Sequence, residues 1–230
     1  LAALAANDVV LLASNTGSGK STRVPQFVLD EHQKRNQTCR IAVVEANHIS
    51  PRYLASRVAT ERGEKLDGSE YTSVGYAVNE NSELPCNPKS IIYLTEFLLW
   101  RYLDSGNFTH IFIDELHEGR ILQETLLLLC KQRIVKQKNV KLIIMSETMD
   151  ATKITKYFKA PIKFQFYPQM ICETRAYSPR SFTPNVIQIN TTHLDIPGRK
   201  YNIVRLFIED TDVDHGHGDN PVESVAAAIN

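Results

Sequence analysis

The sequence predicts an α/β fold with a mainly parallel sheet flanked by helices on both faces. Three observations predict it. Short apolar or β-branched runs recur along the chain, and longer stretches with helical spacing separate most of them. The composition is also that of a globular domain, because 230 residues with 43% hydrophobic and 23% charged side chains can bury a proper core.

The runs and spacers follow one another in order. Leu1–Ala6 is apolar but has no basic flank or cleavage pattern, and reads as part of a helix rather than a signal peptide. Val9–Ala13 is the first strand candidate, and Ser21–Lys34 the first long helix. Arg40–Val44 is followed by helical Pro51–Glu64, and Ile91–Leu94 by Glu96–Leu103. His110–Ile113 precedes helical Ile121–Lys136, and Lys141–Met145 closes the series. Such sheets bind ligands at the carboxyl ends of their strands, so the residues just after each run are the candidates.

After about Phe158 the pattern changes. Pro161, Pro168, Pro179 and Pro184 interrupt an aromatic and polar stretch, and Lys159–Thr192 reads as an irregular or β-rich excursion beside the sheet. Asp210–Asn220, rich in Asp, His and Gly, reads as a linker, with metal binding by His215 and His217 the lesser alternative. Pro221–Ile229 is a fresh helix signal.

Composition excludes several classes. The 26 basic and 26 acidic residues cancel, which excludes a bulk polycation but not a local basic groove. Cys39, Cys86, Cys130 and Cys172 are scattered without a C-x-x-C, so they suggest neither a zinc site nor a disulfide framework. The expected compartment is reducing and intracellular, cytoplasm or nucleus. No apolar run approaches the roughly 18 residues of a membrane span, so no membrane partner is expected.

Directly after the first strand stands S-N-T-G-S-G-K-S-T, Ser14–Thr22. Gly17 and Gly19 let the backbone curl so that successive N–H groups face one anion, and the helix start adds its positive dipole end. Thr16, Gly17, Ser18, Gly19, Lys20, Ser21 and Thr22 are the candidate phosphate cradle. Lys20 would reach the β and γ phosphates, and the Ser21 hydroxyl would ligate Mg²⁺. The strict pattern has Gly where this chain has Ser14. A flexible Gly-Ser turn is the competing reading, but the strand–turn–helix context is the one the motif requires.

After the fourth run comes D-E-L-H, Asp114, Glu115 and His117. An acid at a strand end facing a phosphate loop holds the Mg²⁺ shell, and the adjacent Glu can orient or deprotonate the attacking water. Alone, D-E-L-H could equally be a polar helix start. Paired with the phosphate loop, it reads as Asp114, Glu115 and His117 in a catalytic site with Lys20, and Ser21, Asp114 and Glu115 as metal ligands.

These residues resemble the DExH/DEAH group of superfamily 2 RNA helicases, in its first RecA-like lobe. G-S-G-K-S-T-R-V-P-Q (Gly17–Gln26) is similar to the family's G-S-G-K-T-T-Q-x-P-Q, and D-E-L-H to its motif II. Further likeness lies in Ala55–Glu61, Val74–Val78, Met145–Ala151, Lys156–Phe158 and Ile196–Arg199. The resemblance covers about Asn7–Phe158 and Ile196–Asp210. It implies a RecA-like P-loop NTPase fold, ATP and Mg²⁺ as cofactors, and RNA as partner, with a second lobe supplying arginines to the γ phosphate. Arg57 matches the family helix near the base and is a candidate contact to base or ribose. The implied organisation is an ATP-binding lobe at 1–158, an insertion at 159–195, the end of the lobe at 196–210, and a linker with the start of a second lobe at 211–230.

The chain departs from the family where RNA is gripped. T-Q-P-R-R becomes Glu45–His48, T-x-G becomes Thr95, Glu96, Phe97, and S-A-T becomes Ser146, Glu147, Thr148. An acid at Glu45 should weaken strand binding, and Glu147 could add a third carboxylate near Asp114. The main expectation is an ATP-dependent RNA helicase whose lobe alone binds single-stranded RNA weakly. The alternative is a helicase-like, ATP-gated module that binds RNA or protein partners with little or no unwinding. The basic run from Lys131 to Lys141 reads as a solvated helix end rather than an RNA track.

Overall fold

Ile41 and Val43 pack into one apolar cluster, and Ala42 and Val44 into another on the opposite side of the same strand. A strand covered on both faces must be apolar at every position, which is why these runs do not alternate with polar residues. The computed structural model describes residues 1–15, 17–45, 49–69, 71–79, 81–103, 105–114, 121–136, 139–160 and 189–195. Contacts divide the chain into Leu1–Gly198 and Arg199–Asn230, and all described residues belong to the first unit. Most of the expected insertion (161–188) and the segments expected as lobe end (196–210), linker and second-lobe start (211–230) lie outside the described residues.

The elements are α1 (Ala2–Ala6), β1 (Val9–Ala13), α2 (Lys20–Lys34), β2 (Cys39–Glu45), α3 (Ser50–Arg62), β3 (Val74–Val78), β4 (Asn81–Glu83), β5 (Lys89–Thr95), α4 (Glu96–Tyr102), β6 (His110–Ile113), α5 (Ile121–Lys136), β7 (Lys141–Ser146), α6 (Ala151–Lys159) and β8 (Thr191–Asp195). The sheet order is β4-β3-β5-β2-β6-β7-β1-β8. Among the described residues, only the β3–β4 pairing is antiparallel. The others are parallel. This is the α/β, RecA-like architecture expected. Val28 and Leu29 of α2 and Ala55, Val58 and Ala59 of α3 cover one face. Leu98 and Leu99 of α4, Leu126, Cys130 and Ile134 of α5 and Phe158 of α6 cover the other.

Four elements escape the sequence pattern. β3 carries Gly75 at its second position, which weakens a strand signal. A Cβ there would lie 2.2 Å from the Glu83 carbonyl oxygen and 2.4 Å from Pro85 Cδ, so the return through β4 requires glycine. β4 has three residues. β8 is an edge strand whose residues range from half-buried to exposed, and it is held by pairing to β1 from Val9↔Thr191 to Ala13↔Asp195. The short α6 begins at Asp150, whose carboxylate accepts from the Lys153 amide at 3.0 Å as an N-cap.

The basic run is solvated only in part: Lys136 is exposed at the end of α5, as expected, Lys138 lies outside the described residues, and Lys131 and Arg133 are buried. Lys131 is 4% exposed, and its ammonium donates to the carbonyls of Tyr157 and, at 2.7 Å, Ala160. It therefore caps the carbonyl end of α6 from the neighbouring helix α5. Burial explains the difference: a lysine facing another helix end finds acceptors there instead of water.

Candidate functional site

At the carboxyl end of β1 the chain enters the phosphate-type loop, and α2 begins at Lys20. Gly17 and Gly19 have φ of 79° and 88°, the left-handed region where side chains are strained. No atom lies within 4 Å of a Cβ built on Gly17, so the loop there faces open space. Ser14, at the position where the strict pattern has Gly, does not have a positive φ, so glycine is not required for the turn. Its amide donates to the Ser146 carbonyl at 3.2 Å, which ties the start of the loop to the end of β7. Lys20 is 6% exposed, and its ammonium donates to the carbonyls of Ser14 and, at 3.0 Å, Asn15, holding it across the mouth of the loop.

The second half of the site arrives through the sheet. β7 lies between β1 and β6, and Asp114 directly follows β6. The Asp114 amide donates to the Val44 carbonyl at 3.2 Å. Its carboxylate, 3% exposed, accepts a hydrogen bond from the Ser21 hydroxyl. Residues 93 positions apart in sequence thus meet through one hydrogen bond.

Helix α2 has a defect beside this pair. Pro25 has no N–H, so it cannot donate to the Ser21 carbonyl four residues earlier. The Tyr93 hydroxyl, on β5, donates to that carbonyl at 2.9 Å. Burial, with the charges of Glu45, Glu61 and Asp114, pushes the phenol pKa above its ordinary value, so Tyr93 remains a donor. The sequence reading missed Tyr93. The available signal was the proline in the first turns of the helix that carries Ser21.

Glu61 of α3 joins the two helices beside the loop. Its carboxylate accepts from Gln26 Nε2 at 2.9 Å and Arg57 Nε at 3.3 Å, and pairs with Arg23 at 3.6 Å. The Gln26 hydrogen bond is the largest cause holding its pKa below the usual value. Arg57 is therefore on the outer surface of α3, linked through Glu61 to the first turns of α2, while its side chain is 55% exposed.

Of the expected site residues, Gly17, Ser18, Gly19, Lys20, Ser21 and Thr22 share the loop and helix start, and Asp114 joins them. Arg57 stands apart, on α3. Thr16, Glu115 and His117 lie outside the described residues. Glu45 is 7% exposed at the end of β2, and residues 46–48 lie outside the described residues. Phe97 is 47% exposed with its ring 5.7 Å from that of Trp100, and Glu147 is exposed just after β7.

A hydroxyl and a carboxylate side by side form a hard, oxygen-only ligand pair, which suits Mg²⁺. The open, left-handed Gly17 turn beside an ammonium and a helix start suits polyphosphate.

No protein-family model matches the chain. It is 36% identical over 177 residues to a protein of Mycosarcoma maydis named as a DEAH-box ATP-dependent helicase, covering 70% of this chain and 11% of that one. It is 34% identical over 158 residues to the ATP-dependent DNA/RNA helicase DHX36 of Mus musculus, covering 66% and 16%. It is 36% identical over 172 residues to the ATP-dependent RNA helicase TDRD9 of Danio rerio, covering 73% and 12%. The chain thus spans between a tenth and a sixth of the length of these relatives. With its parallel sheet and its loop joined to Asp114, the chain belongs to the DEAH-box and related ATP-dependent helicases.

Proposed function

We propose that the chain is the ATP-binding lobe of an ATP-dependent helicase that remodels or unwinds RNA, working with a second RecA-like lobe. The hydrogen bond between Ser21 and Asp114 carries this reading, because it joins the two halves of a Mg-nucleotide site. Lys20 neutralises the β and γ phosphates. Amides of Gly17–Ser21 donate to their oxygens. Ser21 and Asp114, with Glu115, are the residues that would hold Mg²⁺, which when bound offsets charge on the phosphate oxygens. Glu115 orients or deprotonates the attacking water, with His117 beside it in sequence, and Arg57 contacts the base or ribose.

The relatives favour this reading over the non-unwinding module, since each carries the name of an ATP-dependent helicase. Single-stranded RNA is the proposed partner. With no net charge, the lobe alone binds it weakly and with a shallow salt slope. The test is ATP hydrolysis by the full-length protein with and without single-stranded RNA. RNA should stimulate turnover, and Asp114→Ala should abolish it. A rate indifferent to RNA, or one that survives Asp114→Ala, would contradict the proposal.

A further inference from the structure

At the end of the sheet away from Asp114 lie three side chains that the nucleotide site does not use. Cys39 opens β2, His110 opens β6 beside it, and His32 reaches them from the last turns of α2. One potential ligand atom from each lies within 4.8 Å of the other two. The two histidine rings meet edge to face, with centroids 4.9 Å apart. Cys39 and His110 are buried and His32 is half-buried, so the cluster has one open side.

From these contacts we propose a His₂Cys site for a borderline-soft divalent cation of the zinc class, with water in the fourth position. The Cys39 sulfur and His110 Nδ1 are 3.7 Å apart. Two such donors on one tetrahedral Zn²⁺, at about 2.3 Å and about 2.0 Å, stand roughly 3.6 Å from each other. His32 Nδ1 lies 2.8 Å from the Val28 carbonyl. A carbonyl can only accept, so Nδ1 carries the proton and Nε2 keeps its lone pair for a metal. Backbone support of this kind orients ligating histidines.

The His110 nitrogen can be released. Thr109 Oγ1 lies 2.9 Å from it but also 3.2 Å from the Arg40 carbonyl, an alternative acceptor for the hydroxyl proton. Lys141, whose charge reaches His110, is itself paired with Asp8 at 3.5 Å. Binding converts the Cys39 thiol to a thiolate, and its proton passes to solvent. The loaded site fastens the end of α2 to β2 and β6, the strands that lead to Glu45 and Asp114. The residues are 7 and 71 positions apart, with no short motif, so the cluster forms only when the sheet does.

Cobalt(II) alone is the probe, because a tetrahedral thiolate site gives visible d–d bands and a sulfur-to-cobalt charge-transfer band. The metal-free chain should take up one Co²⁺ with both features, and Zn²⁺ should displace it. Cys39→Ser should remove the charge-transfer band, and Cys86→Ser should leave it. His32→Ala, at a half-buried position, should weaken Co²⁺ at least tenfold with the circular dichroism spectrum unchanged, and it decides the question if Cys39→Ser unfolds. Absence of the charge-transfer band, its survival in Cys39→Ser, or unchanged affinity in His32→Ala would overturn the proposal.

Discussion

The Tyr93 hydroxyl donates to the Ser21 carbonyl at 2.9 Å, across 72 residues of sequence, at the point where Pro25 leaves α2 without its own donor. The side chain of the same Ser21 meets Asp114. The residue that joins the two halves of the site is thus held from behind by the sheet.

Tyr93→Phe should cost about 1–2 kcal/mol, because it leaves the Ser21 carbonyl without a partner. Adding Pro25→Ala supplies an N–H at the right place in the helix, so the double variant should lose less than the sum of the single losses. Urea unfolding of the four proteins measures this coupling. Strict additivity would show that Tyr93 does not replace the helix donor.

Gly17 and Gly63 form a matched pair. Both have positive φ, 79° and 68°, and a Cβ on either meets no atom within 4 Å. Changing either to Ala should cost about 1 kcal/mol of stability through backbone strain alone. Only Gly17→Ala should also weaken Mg-ADP, since Gly63 ends α3. Equal nucleotide affinities in the two variants would argue against a phosphate cradle at Gly17.

The tie between α2 and α3 should depend on pH. Glu61 has a lowered pKa in the fold, with the Gln26 hydrogen bond the first cause and the arginines adding to it. The unfolded state therefore binds the proton more readily as pH falls. Its contribution is complete above the ordinary value of 4.5, declines as pH drops below that, and is lost once pH passes the lowered pKa. Glu61→Gln should flatten this part of the stability profile, as thermal unfolding from pH 6 to pH 3 would reveal. A parallel profile would remove Glu61 from the account.

The central strands were legible because β1, β2, β5, β6 and β7 are buried on both faces and so write unbroken apolar runs. The edge was not. β3 gives up a side chain at Gly75 to let Glu83 and Pro85 pass, and the residues of β8 keep some exposure. At the site, Lys20, Ser21 and Asp114 stand in compact motifs beside apolar runs, and the fold brings them together. Tyr93 and Glu61 could not be read the same way. Tyr93 looks like one more apolar residue of β5, and Glu61 like one more acid on a helix, until α2 packs against both.

Calorimetry of Mg-ADP binding to the 230-residue chain, beside Lys20→Ala, tests the nucleotide site most directly. Lys20 donates from the first residue of α2 across the loop and is the charged donor assigned to the phosphates. The chain should bind one Mg-ADP, and Lys20→Ala should weaken it about tenfold to a hundredfold while the fold persists, the worth of a charge-assisted hydrogen bond. Unchanged affinity in a folded Lys20→Ala protein would contradict the assignment of this loop to nucleotide.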